Sequence, residues 1–277
     1  MIFAAGSTAA TEDADQIGAD FGEIEEEFGR FLDESLTLRG PDSLGDLLAG
    51  ADPPVGGIAV DVGCGRGRDA VRLASRFGLQ VHGIDPSPIN VQQAKDRAAA
   101  EGLDHRIDVH LGRAEAIPLP DRSVDVLWCK EVITFTDPIA AMREFRRVLR
   151  PGAVGLIYQV LTGPAMTAVE AHWLASQELG FGPARELRPA DVEEAIRVAG
   201  LEIRQRVDYA SEWGEAGQER DGSAGRRLTH AARLLRTPQR YIDRYGAANY
   251  RIMLADCLWH VYRMIGKLWG VAFLLRA

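Results

Sequence analysis

Val60-Asp61-Val62-Gly63-Cys64-Gly65-Arg66-Gly67-Arg68-Asp69 decides the fold. An apolar strand read at 57–62 runs into three glycines at alternate positions, and a helix read at 67–77 starts at once. Glycine is required where a chain turns sharply from strand to helix and where backbone must approach a ligand with no Cβ in the way. The new helix then presents amide donors and the positive end of its dipole. The spacing is G-x-G-x-G. The dinucleotide fingerprint G-x-G-x-x-G needs a small residue where Arg68 stands, and no Lys-Ser or Lys-Thr follows to complete a phosphate loop. Asp85, in Ile84-Asp85-Pro86, closes the next strand roughly 20 residues beyond the loop, the spacing of a carboxylate that holds ribose hydroxyls. Taken alone, Asp85 fits a turn or helix start equally well.

Outward from the loop, short apolar runs alternate with amphipathic stretches. Strands are read at 57–62, 80–84, 106–111, 124–128 and 153–160, with helices at 67–77, 88–101 and 137–149. Nearly continuous apolar strands between helices predict a parallel sheet covered on both faces. Pro151-Gly152 predicts a turn into the fifth strand. Beyond Val160 the spacing predicts helices at 164–179 and 189–199, a strand at 201–209, mostly helix over 210–268 and a last strand at 271–275. Thr237-Pro238 reads as an N-cap followed by proline at the first helical position. Tyr250, Met253, Leu254, Cys257, Val261, Met264, Ile265 and Leu268 form one helical stripe. Before the loop, 11–37 reads as a helix with an apolar stripe and an acidic face, and a short helix follows around Ser43–Leu48. The domains expected are an N-terminal helical segment, 1–50; a core, 51–209, with a substrate-side helical segment at 161–200; a helical cap, 210–268; and a final core strand, 269–277.

The glycine loop resembles motif I of class I S-adenosylmethionine-dependent methyltransferases of the small-molecule type. The likeness continues through Arg113-Ala114-Glu115-Ala116-Ile117-Pro118, Ser123-Val124-Asp125-Val126-Leu127-Trp128 and Val148-Leu149-Arg150-Pro151-Gly152, so it spans about residues 40–160. It implies an α/β fold with a seven-stranded Rossmann-like sheet, mostly parallel with the last strand antiparallel, helices on both faces and a helical cap. It implies S-adenosyl-L-methionine as cofactor. By the same resemblance Asp61 anchors the cofactor's amino group, Gly63, Gly65 and Gly67 wrap its methionine and ribose parts, Asp85 with Pro86 holds the ribose, and Ala114 and Glu115 flank adenine. Two departures stand out. Arg113 replaces a common aspartate and is a donor only. A histidine common after the fourth strand is absent from Lys130-Glu131-Val132-Ile133-Thr134.

In methyl transfer the cofactor carries the activated carbon, and the protein holds nucleophile, methyl and sulfur in line. Cys129, Lys130 and Glu131, read just after the fourth strand, are expected to face the reaction. Glu131 is a candidate base or amine-orienting carboxylate, or a plain first-turn residue. Lys130 is a candidate contact to cofactor or anionic substrate, or a solvated lysine. Asp256 and His260 stand at i, i+4, as a general-base pair or a packed structural one. Tyr209 and Trp213 fit an aromatic pocket or the core, and His172 with Trp173 lies in the cap. Arg39 is placed by position near the cofactor carboxylate. No metal ligands are assigned.

The 277 residues carry 40 acidic and 32 basic side chains, a net charge of −8, so nucleic acid is not an expected partner. Charge is uneven: 12–34 holds ten acids and one base, and 226–251 holds seven arginines and one acid. These read as solvated faces that attract one another or a neighbouring subunit, hence an expected homodimer, or as cap arginines that meet an anionic substrate. Three scattered cysteines, no apolar stretch near bilayer length and no signal-peptide pattern give a cytoplasmic, non-membrane expectation. The function expected is methyl transfer to a small molecule, at oxygen before nitrogen, carbon or sulfur, in secondary metabolism. The alternatives are a protein-directed methyltransferase and a non-catalytic S-adenosylmethionine-binding module.

Overall fold

The computed structural model describes residues 25–34, 39–177 and 185–277. The chain divides into two units, Met1–Leu38 and Arg39–Ala277. In the first, residues 25–34 are helical (α1), and the remainder of the helix read at 11–37 lies outside the described residues. This division falls between Leu38 and Arg39. Helix α2 (Ser43–Ala49) belongs with the core, because Leu44 and Leu48 are fully buried in it.

The second unit carries a seven-stranded sheet: β1 (Ile58–Val62), β2 (Gln80–Asp85), β3 (Ile107–Leu111), β4 (Val124–Lys130), β5 (Leu149–Thr162), β6 (Glu202–Ala210) and β7 (Leu268–Arg276). Its order is β3-β2-β1-β4-β5-β7-β6. The pairs among β1 to β5 are parallel, and β7 runs antiparallel to both β5 and β6, as the resemblance implies. The chain order reverses between β1 and β4, which opens a crevice at their carboxyl ends.

Central strands are buried on both faces. On β4, Val126 and Trp128 enter one core cluster, Leu127 and Cys129 the other. Helices α3 (Arg68–Phe77), α4 (Pro88–Ala100) and α5 (Pro138–Val148) connect the parallel strands. Caps fix two of their starts. The Ser87 hydroxyl accepts from Asn90 N–H at 3.4 Å and the Asp137 carboxylate from Ala140 N–H at 3.0 Å, each with proline at the first helical position.

Strand β5 begins earlier than its apolar run. Leu149 pairs with Val124, and the register shifts before Val126 pairs with Val154. The Pro151-Gly152 turn is therefore a bulge within the strand, with Gly152 at φ +80°. Helix α6 (Ala168–Ala175) starts at a Thr167–Glu170 capping box, and α7 (Pro189–Val198) follows.

The expected cap comprises α8 (Glu212–Asp221), α9 (Ser223–Arg236), α10 (Pro238–Tyr245) and α11 (Ala247–Met264). It is not a separate body, since Ala255, Trp213, Trp259 and Tyr262 pack into the cluster that holds Leu156 and Tyr158. Thr237 precedes Pro238 at the helix start, but its hydroxyl donates back to Arg233 O at 3.4 Å and leaves α10 uncapped. The helical stripe stops at Met264, and Leu268 opens β7. No helix among the described residues is long and apolar enough to cross a membrane.

Candidate active site

Two cavities share a wall at the carboxyl ends of β1 and β4. The first, about 290 Å³, is lined by the glycine loop, the end of β2 and the segment after β3: Gly63, Gly65, Asp85, Pro86, Ala114 and Glu115. The second, about 300 Å³, lies between β5, α6 and α11 and is walled by Gln159, Met166, Leu174, Arg185 and Trp259. Glu131 and Phe135 line both.

The glycines serve different needs. All three have positive φ: Gly63 +70°, Gly65 +52° and Gly67 +76°. A Cβ on Gly63 would stand 2.2 Å from Val132 Cγ2, and one on Gly67 would stand 3.0 Å from Ala94 Cβ. A Cβ on Gly65 would meet nothing within 4 Å, and that opening is the cradle. Gly67 is not among the residues that line the first cavity, and its missing Cβ lets α3 approach α4.

Asp85 is almost fully buried. Its Oδ2 accepts Gly65 N–H at 2.9 Å, and its Oδ1 accepts Ser87 N–H at 2.9 Å and Asn90 Nδ2 at 3.1 Å. Loop and helix start thus fix the carboxylate, and Oδ2, with one donor, keeps capacity for another. Asp61 lies behind the loop, buried, with Oδ2 lacking a partner. Burial, then the adjacent Asp69, push its carboxyl well above the ordinary range, while Lys130 pulls the other way. A buried acceptor without a donor is costly, and a cationic amine would satisfy it, although Asp61 itself lines neither cavity.

These observations fit a nucleoside cofactor with an amino-acid tail: an orphaned buried carboxylate, an unfilled glycine cradle and an oriented carboxylate on β2. Asp85→Ala is expected to weaken S-adenosylmethionine binding roughly ten- to a hundredfold, the worth of hydrogen bonds to a charged group, about 1.5–3 kcal/mol. Isothermal calorimetry reads this directly, and unchanged affinity would remove Asp85 from the ribose role.

Lys130 is a strand residue, the last of β4. It lines the first cavity with its Nζ 2.7 Å from Asp69 Oδ2, so its charge is already matched. Cys129 is corrected: it is buried in the core between sheet and α5, away from either cavity. Glu115 lines the first cavity, and its Oε1 accepts Asp137 N–H at 3.1 Å. Exposed Arg113 lines it too, with Nε 3.7 Å from Glu115 Oε2.

Glu131 follows the last residue of β4 in the left-handed region, φ +60°, and its N–H donates to Tyr158 O at 2.8 Å. Burial pushes its carboxyl above the ordinary glutamate range, against the pull of Arg263 and Lys130. Ser87, Thr136, Phe135 and Gln159 also line the cavities, with no sequence motif to mark them. Gln159 is buried within β5; its Oε1 accepts Ile133 N–H at 2.9 Å and so holds the 3-10 turn that carries Phe135.

Two expected residues are not brought to the cradle. The Arg39 guanidinium binds both oxygens of Glu212, donates to Asp208 O at 2.8 Å and stacks 4.8 Å from the Tyr209 ring centre. It is corrected to a clasp between the start of the second unit and α8. His260 lines a different cavity with Trp213, Arg220 and Arg263. Asp256, one turn earlier on α11, binds Arg227 at 2.6 Å and stands 3.9 Å from the imidazole. Burial lowers the His260 pKa. Asp256 itself, with Trp259, lines the second cavity. Tyr209 is core, and Trp213 stacks on Tyr158 at 4.0 Å. His172 is exposed, 3.3 Å from Glu186.

Residues 60–157 match the family model described as "Methyltransferase domain". The 27-O-demethylrifamycin SV methyltransferase of Amycolatopsis mediterranei is 32% identical over 209 residues, covering 73% of this chain and 77% of that one. Methyltransferase GfsG of Streptomyces halstedii is 32% identical over 163 residues, 58% of each chain. Among solved structures, the 4+2 cyclase SpnF superposes with a TM-score of 0.64 at 27% identity, covering 85% of this chain and 80% of that one. Geranyl diphosphate C-methyltransferase of Streptomyces coelicolor, 17% identical with a TM-score of 0.57 over 98% and 86% of the two chains, shares the fold.

Proposed function

The chain belongs to the class I S-adenosylmethionine-dependent methyltransferases, and from that premise we propose that it methylates a hydroxyl oxygen on a mostly apolar small molecule of secondary metabolism. It is an enzyme, its cofactor is S-adenosylmethionine, and it methylates a small-molecule acceptor. The observation that carries the oxygen assignment is Glu131, a carboxylate standing in the shared wall of the two cavities with its pKa raised by burial. Support also comes from the 27-O-demethylrifamycin SV methyltransferase, whose match covers 73% of this chain.

S-adenosylmethionine, when bound, supplies a methyl carbon activated by an adjacent sulfonium. The residues of the chain do the rest. Asp85, held by Gly65 N–H and Ser87 N–H, would orient the ribose, and Asp61 would take the amino group. Met166, Leu174 and Trp259 give the acceptor an apolar seat that excludes water. Glu131 would accept the hydroxyl proton as the oxygen attacks, and its raised pKa brings it closer to neutral pH, where a general base works best.

The test is a panel of apolar hydroxyl, amine and thiol compounds incubated with protein and S-adenosylmethionine, read by S-adenosylhomocysteine release and product mass. Turnover confined to hydroxyl acceptors is expected. Turnover with amines or thiols alone would overturn the oxygen assignment, and turnover only with polypeptide would replace the small-molecule reading.

A further inference from the structure

We propose that His82, Asp108 and His110 form a binding site for one divalent transition-metal ion, Zn²⁺ foremost, on the outer strands of the sheet. His82 and Asp108 are in-register partners on parallel β2 and β3, and His110 lies two residues further along β3. Side chains two apart on a strand share a face, so all three project from the same side. On the opposite side Val81, Ile107 and Val109 are fixed in the core, which makes the platform rigid.

His82 Nδ1 lies 3.1 Å from His110 Nε2, and His110 Nε2 lies 3.2 Å from Asp108 Oδ2. The three donor atoms all fall within 4.8 Å of one another. With metal–ligand bonds of about 2.0–2.2 Å, tetrahedral ligand atoms stand roughly 3.3–3.6 Å apart. Small side-chain rotations convert the observed spacing into that one.

Hydrogen bonding alone leaves the cluster unbalanced. His110 Nε2 carries either one proton or one lone pair, while the Asp108 carboxylate, an acceptor, and His82 Nδ1, a donor or an acceptor by tautomer, both converge on it. A protonated Nε2 serves Asp108 or His82, and an unprotonated one repels the carboxylate. A metal ion takes a lone pair from each of the three at once. Two imidazoles and one carboxylate select Zn²⁺, Co²⁺, Ni²⁺ or Cu²⁺ over Mg²⁺ and Ca²⁺, which prefer all-oxygen sets. Three protein ligands leave a position for water, and Asp108 and His110 have 64% and 30% of their side-chain surface open for entry. None of the three lines the two cavities of the active site, so the site is separate from cofactor and acceptor. Bound metal would clip edge strand β3 to β2 and stabilise the fold by mass action.

The experiment uses tag-free, chelator-treated protein. Zn²⁺ calorimetry is expected to give one ion per chain, with affinity reduced at least tenfold in His82→Ala, His110→Ala and Asp108→Asn. The exposed Asp108→Asn change keeps the test informative should a histidine variant misfold. Added Co²⁺ should give the visible bands of nitrogen and oxygen ligation with no thiolate charge-transfer band. Zn²⁺ should raise Tm in the wild type and not in Asp108→Asn. Absence of stoichiometric binding, affinity unchanged across the variants, or a thiolate band pointing to the cysteines would each overturn the site.

Discussion

Gly65→Val is expected to lower S-adenosylmethionine affinity by at least about a hundredfold, about 2.8 kcal/mol, while the protein stays folded. The argument turns on what a side chain at this position would meet. At Gly63 a Cβ would strike Val132 at 2.2 Å, and at Gly67 it would press on the α4 backbone at 3.1 Å, so substitutions there disturb packing. At Gly65 a Cβ meets no protein atom within 4 Å and enters the first cavity instead. The left-handed φ of +52° adds roughly 1–2 kcal/mol of strain for a side-chain-bearing residue. That strain falls on the loop whose N–H fixes Asp85 Oδ2 at 2.9 Å. Valine therefore fills the cradle and misaligns the ribose carboxylate together, whereas Gly65→Ala should give a smaller loss. Calorimetry measures the affinity, and circular dichroism with a urea midpoint checks the fold. Near-wild-type affinity in a folded Gly65→Val protein would mean that the cofactor lies elsewhere.

The cofactor side of the site was legible because it is built from consecutive residues and from backbone. A strand, alternating glycines and a helix start place Gly63 and Gly65, and a strand-end carboxylate one unit later places Asp85. Each of these is a local rule, and the parallel sheet that unites them follows from the same alternation. The acceptor side follows no local rule. Gln159, Met166, Leu174, Arg185 and Trp259 come from β5, from α6 with its flanking loops, and from α11, and only the sheet order brings them together. Gln159 in particular sits in an apolar strand and looks like one polar interruption of it. Arg39 and His260 depend on distant partners in the same way. The partner that claims Arg39 is Glu212, 173 residues away, and the partner that claims Asp256 is Arg227 rather than His260. The His82–Asp108–His110 cluster has no sequence signature because its residues are split between two strands, and the D-x-H spacing on β3 has meaning only once His82 is its neighbour.

Glu131→Gln is expected to reduce kcat by about a hundred- to ten-thousandfold with S-adenosylmethionine affinity unchanged, the range associated with loss of a positioned general base. Glutamine keeps the size and the hydrogen-bonding reach of the side chain, so the change isolates proton acceptance. The pH dependence gives an independent readout. A base works only when ionised, so wild-type kcat falls as pH drops through the Glu131 pKa. Burial raises that pKa, which moves the acid limb to higher pH than an exposed glutamate would give, less the opposing pull of Arg263 and Lys130. In Glu131→Gln the limb should vanish. The backbone separates this role from a structural one. Glu131 holds φ +60°, a conformation that glycine adopts freely, so Glu131→Gly relieves strain. A Glu131→Gly protein that is as stable as the wild type or more so, yet as slow as Glu131→Gln, identifies a carboxylate retained for its chemistry at a cost in stability. A kcat within about threefold of wild type in Glu131→Gln, with the acid limb intact, would place the base on another group and leave the shared wall of the two cavities a matter of shape alone.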